Sequence, residues 1–107
     1  MRIIARRTLR EFVEGRSGSA DQAALSAALD SWFAVVSRAE WATMADVKAA
    51  YANASVITAE RVVFNIRGNT YRLVAAINFR RAVVWIKWIG THAEYDRIDV
   101  STVEYDG

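Results

Sequence analysis

The sequence predicts an α+β fold, with N-terminal helices packed on one face of an antiparallel β-sheet, and three observations carry that expectation. The first half places apolar residues at three-to-four spacing behind helix-start signals. The second half changes to strand composition interrupted by turn residues. Those strands can be paired so that one face is wholly apolar, which asks for a layer of helices over it. At 107 residues the chain suits one core and is too short for two ordinary domains, so a single domain over 1–107 is expected. An apolar content of 53%, with four Trp, four Tyr and four Phe, excludes disorder from weak hydrophobicity over most of its length.

Taken in order, Arg2 to Arg6 reads as a short edge strand. Thr8-Leu9-Arg10-Glu11 has capping-box spacing, in which a hydroxyl and a carboxylate satisfy free N–H groups at a helix start, and predicts a short helix to about Glu14. Gly15-Arg16-Ser17-Gly18-Ser19 is loop composition. Ser19-Ala20-Asp21-Gln22 repeats the box, and Ala24, Leu25, Ala27, Ala28, Leu29, Trp32, Phe33 and Val36 then predict an amphipathic helix to about Ser37, with a small Ala face suited to close packing. Thr43-Met44-Ala45-Asp46 starts a third helix through Val47, Ala50 and Tyr51, and Asn53 to Ala59 is turn-like.

Three strands follow, Arg61 to Ile66, Thr70 to Phe79 and Ala82 to Ile89, with Gly68 free to take positive φ in the first turn. Loops of even length pair Phe64 with Tyr71, Leu73 with Trp88, Ala75 with Ile86 and Ile77 with Val84. One face is then apolar, from Phe64 through Ile86 to Trp88, and the other carries Arg61, Asn65, Arg72, Asn78, Trp85 and Lys87. An odd second loop would drive Lys87 into the core, which burial opposes.

Charge is segregated. From Arg61 to His92 there are six Lys or Arg and no Asp or Glu, leaving eight of the fourteen basic residues to share the rest of the chain with all twelve acidic ones. A basic, uncovered sheet face suits a polyanion. The lack of Cys removes disulfides, zinc–thiolate sites and thiol nucleophiles, and a single His leaves any metal to carboxylates that avoid the basic window, so neither metal nor cofactor is expected. MRIIARRTLREF has only a three-residue apolar run among its arginines, and no run of about 18 apolar residues occurs, so no membrane association and a cytoplasmic location are expected. Ser-His-Asp, P-loop, GxGxxG and EF-hand patterns are absent.

In the even register Arg72 lies opposite Ile89 and Lys87 opposite Val74, diagonal neighbours about 7–8 Å apart that could hold one phosphate, with Trp85 and Asn78 beside them. Thr91 and Glu94 again have capping-box spacing, which makes Glu94 a structural cap. His92, Tyr95 and Asp96 then share one side of a short helix at the end of the basic strand. His, Tyr, Arg and Lys suffice for metal-free RNA cleavage: a base takes the ribose 2′-OH proton, cations hold the phosphate and an acid protonates the leaving 5′-oxygen. Asn65, Arg67, Gly68 and Asn69 form the hairpin tip, where Gly68 reads as turn chemistry and Arg67 and Asn69 suit a turn and contact with ligand equally.

The run VVFNIRGNTYRLVAAINF followed by VVWIKWIGTHAEYDRID resembles the signature of the HigB family of toxins from type II toxin–antitoxin modules. MRIIARRTLREF and the Ala- and Tyr-containing third helix agree with it, so the resemblance covers nearly the whole chain. It implies the small α+β fold of the RelE/ParE-like toxin superfamily. It also implies a ribosome-dependent mRNA endonuclease that cuts message in the ribosomal A site, and a HigA-like helix-turn-helix antitoxin as partner besides mRNA and ribosome. Asn65, Asn69 and Arg72 carry over from FNIRGNTYR, Lys87 from WIKWIG, and His92, Tyr95 and Asp96 from THAEYD, while Trp88 stands where the family has a smaller aromatic. The expected catalytic set is therefore Arg72, Lys87, His92 and Tyr95, with Asn65, Asn69, Arg61, Trp85 and Asp96 binding RNA. The superfamily also holds members that inhibit DNA gyrase without cutting RNA, which keeps a non-catalytic toxin as the alternative.

Overall fold

The computed structural model describes residues 1–104, so the last three residues of the domain expected over 1–107 lie outside it. Helical spacing places Leu25, Leu29, Trp32 and Val36 of α2 (Gln22–Arg38) on one buried face, while Ala24 and Ala27 lie on the solvent side. The large residues pack against the sheet, and the small Ala face does not. α3 (Met44–Ala50) begins at Thr43 as expected, and a reciprocal cap forms there, the Asp46 carboxylate accepting the Thr43 N–H at 3.2 Å.

The first two predicted boxes fail. α1 (Arg6–Glu14) starts two residues before Thr8, and Ala5 gives it no side-chain cap. Thr8 is buried inside the helix, and Glu11 binds Arg7 Nε at 2.8 Å instead. At the start of α2, the Ser19 hydroxyl donates to the Asp21 carboxylate at 2.5 Å, and the Gln22 amide reaches the Val13 carbonyl at 2.9 Å. Burial of Thr8 and the Arg7 partner of Glu11 at the first position, and the Asp21 and Val13 partners at the second, thus displace the expected caps.

The sheet has the order β1-β5-β4-β3-β2, built from β1 (Arg2–Ile4), β2 (Ser55–Val56), β3 (Arg61–Ile66), β4 (Tyr71–Asn78) and β5 (Val83–Thr91). All neighbours are antiparallel except β1, which lies parallel to β5 and so keeps the edge position expected of it. Turn-like Asn53 to Ala59 contains the two-residue β2. α1, α2 and α3 cover one sheet face, where Leu25, Trp32, Trp41, Val47, Phe64, Leu73 and Ile77 form one core. Within it Trp32 and Tyr51 meet Phe64 edge-on at 5.4 and 5.2 Å, and Trp41 stacks on it at 6.4 Å, a set worth about 0.5–1.5 kcal/mol per pair beyond area burial.

Both hairpin loops have four residues, 67–70 and 79–82, so the expected even parity holds. Arg67 and Gly68 take φ of 53° and 61°, which bends the first loop. Because that loop is two residues longer than a pairing of Phe64 with Tyr71 requires, Phe64 pairs with Leu73, and Tyr71 with Ile66. This shift by two preserves the faces.

Tyr71 ties the sheet to the loop before α2. Its ring is fully buried, and its hydroxyl donates to Asp21 at 2.6 Å, with the Arg16 guanidinium 5.2 Å from the ring centre. Burial, then the Asp21 bond, pushes the phenol pKa up; the Ser19 bond, then Tyr71, holds the Asp21 carboxyl below its ordinary value. Tyr71→Phe is expected to cost about 1.5 kcal/mol in urea unfolding, the worth of one hydrogen bond to a charged acceptor.

Candidate functional site

The candidate site residues project from the sheet face opposite the helices. On that face Arg61, Ala76 and Trp85 form one row across β3, β4 and β5, and Asn65, Arg72 and Gly90 form another. The rows are four residues apart along each of β3 and β4, about 13 Å.

Between them lies a β-bulge at Val74/Ala75 that changes three expected pairings. Up to the bulge, Ala75 with Ile86 and Ile77 with Val84 pair as predicted. Beyond it Leu73 meets Ile89, Val74 meets Trp88 and Arg72 meets Gly90, leaving Lys87 without a partner across the strand. One extra residue on β5 satisfies burial in a way that simple alternation cannot: Ile86 and Ile89 both enter the helix-side core, while Lys87 and Trp88 both face the other way. The expectation of Trp88 in the core is therefore wrong, as is that of Lys87 opposite Val74 and Arg72 opposite Ile89.

Arg72 and Lys87 consequently serve different neighbours. Arg72 Nη1 donates to the Asn69 carbonyl at 2.9 Å, and its guanidinium carbon sits 6.0 Å from the centre of the Tyr95 ring. Tyr95 also lies 6.3 Å from Trp88, whose indole passes over Gly90. A Cβ at Gly90 would overlap Trp88 Cη2 and Cζ2, so the absence of a side chain there is what seats the indole.

α4 (His92–Tyr95) starts as predicted: Glu94 N–H donates to Thr91 Oγ1 at 3.1 Å, and Thr91 N–H to Glu94 Oε1 at 2.8 Å. His92 N–H meets the Thr70 carbonyl at 3.1 Å, fixing the helix start against the β3–β4 loop. The His92 side chain is 53% exposed, and its Nδ1 lies 3.4 Å from Asp96 Oδ2, one turn on. That orientation turns Nε2 away from the carboxylate. Asn65 is half-buried, with its amide 3.5 Å from the Asn53 carbonyl, and Asn69 is exposed at the hairpin tip.

The face is less open than its sequence suggests. Val63, Val74 and Val83 point away from the helices and are buried nonetheless. The chain after α4 crosses this side, because Arg61 Nη1 donates to the carbonyls of Val100 (3.2 Å) and Val103 (2.8 Å). Glu104 then bridges Arg61 Nη2 and Lys87 Nζ, each at 3.0 Å. The Lys87 bond first, then the nearby positive charge, holds the Glu104 carboxyl pKa below its ordinary value.

Of the six basic residues in the acid-free window, only Arg61, Arg72 and Lys87 are on this face; Arg67, Arg80 and Arg81 sit on exposed loops at opposite ends of β4. Trp85 shares the Arg61 row, four residues along β4 from that of Arg72, and the Asn78 side chain accepts the Arg81 N–H at 3.0 Å in the second loop, so neither stands beside Arg72. Sequence reasoning missed Glu104, for which no local pattern exists, and Gly90, whose isolation within a strand was a usable sign of close approach. Among the described residues no helix is long and apolar enough to cross a membrane, and no three His, Cys, Asp or Glu side chains are grouped to hold a metal.

No curated protein matches this chain. Residues 25–98 match the family model of the HigB toxin, described as the RelE-like toxic component of a toxin–antitoxin system. The match takes in α2, α3, the strands β2 to β5 and α4, and so every candidate residue named above. With helices on one face of a five-stranded, mostly antiparallel sheet, and a family match across most of its length, the chain belongs to the HigB toxin family of RelE-like toxins.

Proposed function

We propose that this toxin is an mRNA interferase that cleaves message on the ribosome by acid–base chemistry. The observation that carries the reading is the Arg72 guanidinium resting on Tyr95 in the helical turn that also presents the exposed His92–Asp96 pair. A ribose 2′-OH attacking the adjacent phosphorus forms one P–O bond and breaks the bond to the 5′-oxygen. The step needs a proton taken from the first oxygen, one given to the second, and positive charge on the phosphoryl oxygens between. His92 performs one of the two proton transfers, with Asp96 orienting its ring. Arg72 offers a planar fork to the scissile phosphate, Lys87 adds charge for the RNA backbone beside it, and Tyr95 and Trp88 give a base a surface to stack on. Asn65 and Asn69 line the approach from the hairpin. Inhibition of translation in the cytoplasm and neutralisation by a helix-turn-helix antitoxin belong to the same reading.

Induction of the toxin in growing cells, followed by primer extension on abundant messages, tests it. Breaks mapped within translated codons are expected. Growth arrest with every message intact would instead mean inhibition by sequestering a target such as gyrase.

A further inference from the structure

Resting on that reading, we infer that Arg61 and Lys87 form a second phosphate subsite for single-stranded RNA, closed in the free protein by the chain's own Glu104. The two cations are well shielded, their side chains 12% and 24% exposed, whereas the Glu104 side chain is 60% exposed and lies over them. Each carboxylate oxygen meets a different cation at 3.0 Å, an arrangement that two oxygens of a phosphodiester reproduce. The Arg61 guanidinium is held independently of Glu104, since its Nη1 is committed to Val100 and Val103 while Nη2 serves the carboxylate. Removing Glu104 therefore leaves a preset donor pair. The carboxylate member of both pairs stays largely in solvent, which weakens its hold, so a polyanion carrying several phosphates displaces it readily.

Position supports the assignment. The subsite lies on the same sheet face as Arg72, with the Arg61 row about 13 Å along the strands from the Arg72 row and Lys87 on β5 between them, and with Trp85 in the Arg61 row for a base to rest on. A strand whose scissile linkage sits by Arg72 and His92 would thus be held a second time on one side of the cut. Glu104 lies beyond the residues that match the family model, so this closure belongs to the chain's own C-terminal stretch.

The test uses the full chain and a short 2′-O-methyl RNA oligonucleotide, which binds but lacks the nucleophilic hydroxyl, followed by fluorescence anisotropy at fixed salt. Glu104→Gln is expected to bind about fivefold more tightly than wild type, the effect of releasing two cations from one solvent-facing carboxylate. Glu104→Asp, which keeps the charge, should stay within about twofold of wild type. The gain must also vanish when Glu104→Gln is combined with Lys87→Ala. Equal or weaker binding by Glu104→Gln, or a gain that survives Lys87→Ala, overturns the inference. Cleavage of translated message is scored separately: tighter binding without cleavage keeps the subsite and rejects the nuclease, and cleavage without tighter binding does the reverse.

Discussion

Arg72→Ala is expected to lower the rate of message cleavage by about 10²–10³-fold, the usual effect of removing one preorganised group that stabilises developing negative charge. The fold should survive the change. Arg72 is half-buried on the side away from the helices, and its two hydrogen bonds go to carbonyls at the hairpin end, Asn69 at 2.9 Å and Tyr71 at 3.4 Å. Arg72→Lys should recover little, because an ammonium cannot present two parallel donors or lie flat on Tyr95. His92→Ala is expected to cost about 10²–10⁴-fold through loss of proton transfer, with almost no loss of stability, since the imidazole is exposed and its neighbour Asp96 is 63% exposed. The measurement is the cleavage rate in a translating extract, with thermal unfolding of each variant as control. Full activity and full growth arrest in Arg72→Ala, Lys87→Ala and His92→Ala alike would remove the nuclease reading.

The elements were legible in the sequence wherever a periodic apolar pattern had only one partner to satisfy. α2 and the strands from Arg61 onward were found within one to two residues, because Leu25, Leu29, Trp32 and Val36 repeat at helical spacing and Phe64, Leu73 and Ile77 alternate. The helix start at Thr43 and the cap at Thr91 were legible because, among the described residues, nothing tertiary competes for those hydroxyls. At Thr8 and Ser19 something does, namely core burial for the first and the Asp21–Tyr71 network for the second.

The site was harder to read. Strict alternation had to choose between Lys87 and Trp88 for the outer face, and a bulge gives that face both. Bulges arise from the competition of two registers over a whole strand pair, and no single residue announces them. The cover over the second sheet face was equally hidden: Arg61 meets Val103 and Glu104 from 42 and 43 residues away, a separation at which local pattern carries no information. The acid-free window was thus a true property of the sequence but not of the surface, because an acidic side chain from beyond it returns to answer two of its cations.

Gly90→Ala is expected to damage both stability and cleavage, and for one reason. The added methyl would overlap Trp88 Cη2 and Cζ2 and press on Glu94 Oε1 at 3.0 Å. Glu94 cannot retreat cheaply, since the same oxygen accepts the Thr91 N–H at 2.8 Å in the cap that starts α4. The indole must therefore leave the strand, at a cost of about 1–3 kcal/mol typical of overpacking. Its departure takes away the neighbour of Tyr95 at 6.3 Å, and with it part of the support beneath Arg72. Trimming Trp88 separates crowding from any backbone effect. Trp88→Ala alone should destabilise, but Gly90→Ala placed in that background should cost clearly less than it does in wild type, the remainder being the press on Glu94, a non-additivity that urea titration resolves. If Gly90→Ala is as stable and as active as wild type, or costs the same with and without the indole, the packing of Trp88 over this glycine does not set the position of Tyr95.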